Sequence, residues 1–122
     1  MASFFRNVLY SGLGSTETKI LTTGNINGVA RPTANTTVIG LSLTNMTENV
    51  VLASIRLKDT SGDVSAPYDE GYYIKEVAVP ANQSLRVING GEKLILAPST
   101  EMYITASDDA SLDLVLSCVE IV

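Results

Sequence analysis

The chain has 122 residues, a formal net charge of −5, 45% apolar and 17% charged residues, one cysteine and no histidine. That length suits one domain, able to bury roughly two-thirds of its unfolded surface without disulfides or metals. The balance excludes a disordered chain, and it excludes a nucleic-acid binder because no basic run exists to meet phosphates.

Residues 1–15 open with Phe4, Phe5, Val8, Leu9 and Tyr10, followed by the flexible Ser11-Gly12-Leu13-Gly14-Ser15. They read either as an N-terminal arm that docks on a neighbouring subunit or as an edge strand on the chain's own sheet. Glu17–Thr23 is a short β-branched strand, Gly24–Gly28 is turn material, and Val29–Asn35 is an irregular connection holding Pro32. From Thr36 to Lys58 two alternating runs flank the polar Asn45-Met46-Thr47-Glu48-Asn49, which predicts a β-hairpin with Ile39, Leu41 and Leu43 on its apolar face.

Asp59–Gly71 is the longest polar stretch, an exposed loop with a short strand at Val64–Ala66. Tyr72–Val79 and Ser84–Ile88 are the next strands. Asn89-Gly90-Gly91 predicts a tight hairpin that pairs Ser84–Ile88 with Glu92–Ala97. Thr100–Ala106 and Ser111–Val122 complete the chain, the last strand being the longest. No window shows helical periodicity. Eight or nine short strands about ten residues apart predict one all-β domain over residues 1–122, an antiparallel two-sheet sandwich of jelly-roll type.

Little in the chain carries chemistry. Without histidine a nucleophile has only lysine or carboxylate for a base, and Lys19, Lys58, Lys75 and Lys93 sit at solvated strand positions. Asp108-Asp109 and the loop acids Asp59, Asp63, Asp69 and Glu70 read as solvated turn residues rather than a glycosidase pair. Asp59-Thr60-Ser61-Gly62-Asp63 resembles half of a calcium loop but lacks the closing glutamate and flanking helices, so whether the loop takes a cation stays open. Gly12-Leu13-Gly14 and Asn89-Gly90-Gly91 lack the helix of a phosphate cradle. Cys118, in an apolar strand, reads as an inert thiol. The expectation is a protein with no catalytic residues, no metal, no cofactor, no transmembrane helix and no standard secretion signal. The exposed aromatics Phe4, Phe5, Tyr10, Tyr68, Tyr72 and Tyr73 are the candidate partner interface, tyrosine being large, stiff and amphipathic.

The pattern VIGLSLTNMTENVVLASIRLKDTSG, then YYIKEVAVPANQSLRVINGGEKLILAPSTEMYITAS, then SLDLVLSCVEIV resembles a small virion structural protein of tailed bacteriophages, over about 85 of the 122 residues. Pro67–Gly71 looks like extra loop before the paired tyrosines. The resemblance implies a non-enzymatic subunit made in the host cytoplasm and carried in many copies on the virion. It is similar to decoration or cement proteins, which are often trimeric and bind the major capsid protein on the shell's outside. A neck, tail or fibre component is the variant, and a carbohydrate-binding module with Tyr68, Tyr72 and Tyr73 as its platform is the alternative.

Overall fold

A computed structural model describes residues 2–88 and 91–122. Among these there is no helix, and every sheet pairing is antiparallel. The strands are β1 (Ser3–Leu13), β2 (Thr18–Thr22), β3 (Asn25–Ile26), β4 (Val29–Ala30), β5 (Asn35–Asn45), β6 (Val51–Asp59), β7 (Glu70–Val79), β8 (Ser84–Ile88), β9 (Leu94–Leu96), β10 (Thr100–Ala106) and β11 (Leu112–Ile121). They build sheet A, ordered β1-β11-β5-β8 with β9 also on β5, and sheet B, ordered β2-β10-β6-β7, plus the β3–β4 hairpin.

Alternation places the strands against each other. On β10, Thr100, Met102, Ile104 and Ala106 are buried between partly exposed neighbours, and on β11 Leu112, Leu114, Leu116 and Cys118 do the same. These inward rows meet Leu41 and Leu43 of β5 and Val51, Ala53 and Ile55 of β6 in one core shared by both sheets. The two layers thus face each other as an all-β sandwich.

Several expectations are corrected. Thr36–Lys58 is not a hairpin: β5 lies in sheet A, paired with β11, β8 and β9, whereas β6 lies in sheet B between β10 and β7. Asn45 explains the crossing. Its buried amide nitrogen donates to Asn49 O at 2.7 Å and Val79 O at 3.0 Å, while its oxygen accepts from the Thr47 backbone N–H at 2.8 Å. That side chain closes an arch between layers where a two-stranded turn was expected. Ile39 is also not on the inward face. Ser117 pairs with Gly40 and Cys118 with Val38, so Ile39 is the extra residue of a bulge; it is exposed and Val38 is buried.

Nor does β8 pair with β9. Both run antiparallel to β5, β8 on Leu41–Thr44 and β9 on Thr36–Val38, as two pieces of one interrupted edge. Of the expected turn between them, Asn89 and Gly90 lie outside the described residues. No strand forms at Val64–Ala66, the expected turn at Gly24–Gly28 holds β3 with Ile26 buried, and β1 and β5 at 11 residues outrun the 10 of β11. Residues 3–13 pair with β11 along their length, so they form an edge strand of sheet A.

One buried charge group fixes the β3–β4 hairpin. Glu120 is fully buried on β11, and its Oε1 accepts from Arg31 Nη1 at 2.8 Å and lies 3.8 Å from Arg6 Nε. Arg31 also covers the Phe4 ring at 3.7 Å, Arg6 donates to Ile26 O at 3.1 Å, and the Asn27 amide donates to Asn7 O at 2.9 Å. Removing one partner of such a group leaves a buried charge unpaired, at a cost of about 3–5 kcal/mol. Arg31→Ala, which leaves the buried Glu120 carboxylate with Arg6 at 3.8 Å as its remaining ionic neighbour, is therefore expected to lose about that much unfolding free energy in urea denaturation, with β3–β4 amides exchanging first in hydrogen-exchange measurements.

Candidate interaction surface

The outer faces of the two sheets differ in chemistry. On sheet B, Arg56 holds Glu17 with two hydrogen bonds of 3.1 and 2.8 Å, approaches Glu70 at 3.4 Å and lies over the Tyr103 ring at 4.3 Å. Beside it Lys19 reaches Glu101 at 3.2 Å, and the Tyr103 hydroxyl donates to the same carboxylate at 2.7 Å. The register explains the lattice: Tyr103 sits opposite both Arg56 and Lys19, and Glu101 opposite Lys58. The Arg56 hydrogen bond holds the Glu17 carboxyl below its ordinary range, and the Tyr103 hydroxyl followed by Lys19 does so for Glu101.

Sheet A's outer face sets exposed apolar side chains among small polar ones. One row crosses its strands as Phe5, Val119, Thr37 and Ile95, and a second as Leu9, Val115, Ser42 and Arg86. Between them run the small residues Asn7, Ser117 and Gly40. Phe5 is 80% exposed, Ile95 70%, Leu9 67% and Val115 50%. Among the described strand residues of this face, Asp113 and Arg86 are the charged ones, and both lie toward one end.

The six aromatics expected at an interface do not form one patch. Phe5 lies on the outer face of sheet A. Phe4 and Tyr10 alternate to the other side of β1, Phe4 beneath Arg31 and Tyr10 with its hydroxyl 3.5 Å from Lys19 O. Tyr68, Tyr72 and Tyr73 line a separate groove at the opposite rim, between β7 and β9. Sequence reasoning missed Leu9, Val115, Val119 and Ile95. A signal was present: β11 carries Val115, Val119 and Ile121 at the positions that alternate with its core row, so it is apolar on both faces.

Among the described residues no group of three or more His, Cys, Asp or Glu stands close enough to hold a metal ion. Burial, and then the nearby Glu120 charge, push the Cys118 thiol up to about 11, far from a nucleophilic thiolate. Asp59 accepts from the Ser61 hydroxyl at 2.6 Å and Asp109 from Ser15, contacts that order turns and hold both carboxyls below their ordinary range.

Comparison with protein-family models, curated proteins and solved structures finds no match for this chain.

The lattice on sheet B makes stability depend on acid. Glu17 and Glu101 have folded-state values below the 4.5 of the free side chain, so the unfolded chain takes up protons first. Their contribution is complete above that pH and is lost as pH falls through the lowered values. Thermal melts are expected to show the melting temperature of the wild type dropping more steeply below pH 4.5 than that of a Glu17→Gln, Glu101→Gln double variant.

Proposed function

We propose that the chain is a non-enzymatic assembly subunit that adheres through the outer face of sheet A. In the fuller form of this reading it is a virion structural protein of a tailed bacteriophage, a decoration or cement subunit on the head shell. There it acts as a homo-oligomer, a trimer by the same resemblance, in contact with the major capsid protein. The phage assignment rests on the sequence resemblance over Thr36–Val122.

The observation that carries the adhesive function is the contrast between the faces. One is laced with paired charges, and the other exposes Phe5, Ile95, Leu9 and Val115 with small residues between them. Exposed apolar patches of this extent mark interaction surfaces on soluble proteins. Four strands at about 4.8 Å and nine residues at about 3.3 Å make a flat area of roughly 570 Å². That whole face, polar positions included, is of the order of the ~800 Å² per partner of a stable contact. The winding supports a rigid tile. The principal strands cross between sheets at β1→β2, β2→β5, β5→β6, β7→β8, β8→β10 and β10→β11, with one in-sheet step from β6 to β7. That interleaving is the order expected of a jelly roll, a double-sheet architecture of capsid and lectin domains.

The test is association. The wild type is expected to form a discrete oligomer by sedimentation, or to bind purified shells that lack it. A Leu9→Lys, Val115→Lys variant, changed only at exposed positions, should weaken that association by about a hundredfold (about 2.8 kcal/mol) with an unaltered circular dichroism spectrum. A wild type that stays monomeric and ignores shells overturns the reading.

A further inference from the structure

We propose that the groove between β7 and β9 binds an extended, Arg- or Lys-bearing segment of a partner protein. This site lies at the rim away from β1 and goes beyond adhesion through sheet A. The groove has a volume of about 400 Å³. Tyr72 and Tyr73 and the 83% exposed Tyr68 line it from the β7 side, and Ile95 stands on the β9 side. Stiff amphipathic rings held in water around a concave surface suit a chain that inserts side chains between them.

Two further features select the occupant. The charged side chains that line the groove are Asp59, Asp69 and Glu70, all carboxylates. Glu70 already meets Arg56 and Lys58, but among the described residues no ion pair involves Asp59 or Asp69. The groove is thus complementary to a cation, and specificity and encounter rate both gain from that. The backbone sets the shape of the partner. β7 and β9 each end their sheet here, so both banks carry edge N–H and C=O groups that an extended peptide can meet and a sugar ring meets less regularly. Edge protection by bulging begins at Tyr73 and recurs at Lys75–Glu76, where Glu76 has φ 50°; Glu70–Tyr72, at the groove, keeps regular register with β6.

The experiment titrates the 15N-labelled protein with a short capped peptide alternating arginine and leucine, with its glutamate counterpart, and with chitotetraose and maltotetraose. The arginine peptide is expected to shift amides of Tyr68–Tyr73 and Leu94–Ala97. Asp69→Asn and Tyr72→Ala should each weaken it about tenfold (about 1.4 kcal/mol). Asp63→Asn, on the same loop but outside the groove, should leave it unchanged, and the glutamate peptide should not bind. Thermal melts confirm that each variant folds, and Tyr73→Ala serves as a second groove variant. Shifts elsewhere, equal weakening by Asp63→Asn, or no binding would overturn the proposal. A response to the oligosaccharides in place of the peptide would assign the groove to glycans and overturn it equally. Ile95 borders both surfaces, so the titration is run on the Leu9→Lys, Val115→Lys background, where adhesion through sheet A is removed and the groove alone is read.

Discussion

The fold depends on burial of two inward sheet faces against each other. No disulfide is available, because Cys118 is the lone cysteine. Stability therefore comes from removing side chains such as Leu41, Leu43, Ile55, Met102, Ile104, Leu114 and Leu116 from water on both layers at once. Because the principal strands cross between layers at nearly every step, neither sheet can be completed before the other. Sequence-distant strands must meet, as β1 with β11 and β2 with β10 do. Such topologies fold slowly for their size.

Once the sandwich is closed, the sheet edges decide how it can associate. Each edge is blunted in its own way. The β3–β4 hairpin leans on β1, with the Asn27 amide capping Asn7 O. β7 is bulged, β2 has five residues, and the last edge is broken into β8 and β9. Open-ended strand addition, the hazard of β proteins, is thereby discouraged. Outside the short edges of Glu70–Tyr72 and β9, association is left to side chains, and the two faces offer them unequally. A charged lattice must be desolvated to be covered, whereas the Phe5–Ile95 and Leu9–Val115 rows gain by being covered.

Strand positions were legible in the sequence because alternation has a period that needs no partner. Pairing was not. Ile39–Thr44 and Val51–Lys58 alternate whether they are hydrogen-bonded to each other or stacked ten ångströms apart in opposite layers, and a five-residue polar link serves both arrangements. What separates them is the buried Asn45 side chain bonded to Val79 O, a contact across 34 positions that no local pattern encodes. The bulge at Ile39 was hidden for the same reason: it belongs to the register with β11, not to β5 alone. Glu120 was half legible. Its parity matches the core row of β11, but its partners Arg6 and Arg31 come from the far end of the chain. Among the site residues, the aromatics could be picked out by type, but not their exposure, since phenylalanine is as often buried. Their division among two sides of β1 and a distant groove followed only from the fold.

The division of labour between faces has a consequence for assembly. A tile that was apolar on both sides would stack without limit, since each covered face would leave another free. Here the lattice of Arg56, Glu17, Glu70, Lys19 and Glu101 satisfies its own charges within one chain. Covering it gains nothing and costs desolvation, so it terminates growth in that direction. Adhesion limited to one side gives a closed contact. That is the geometry a subunit needs if, as proposed, it coats a surface in many copies.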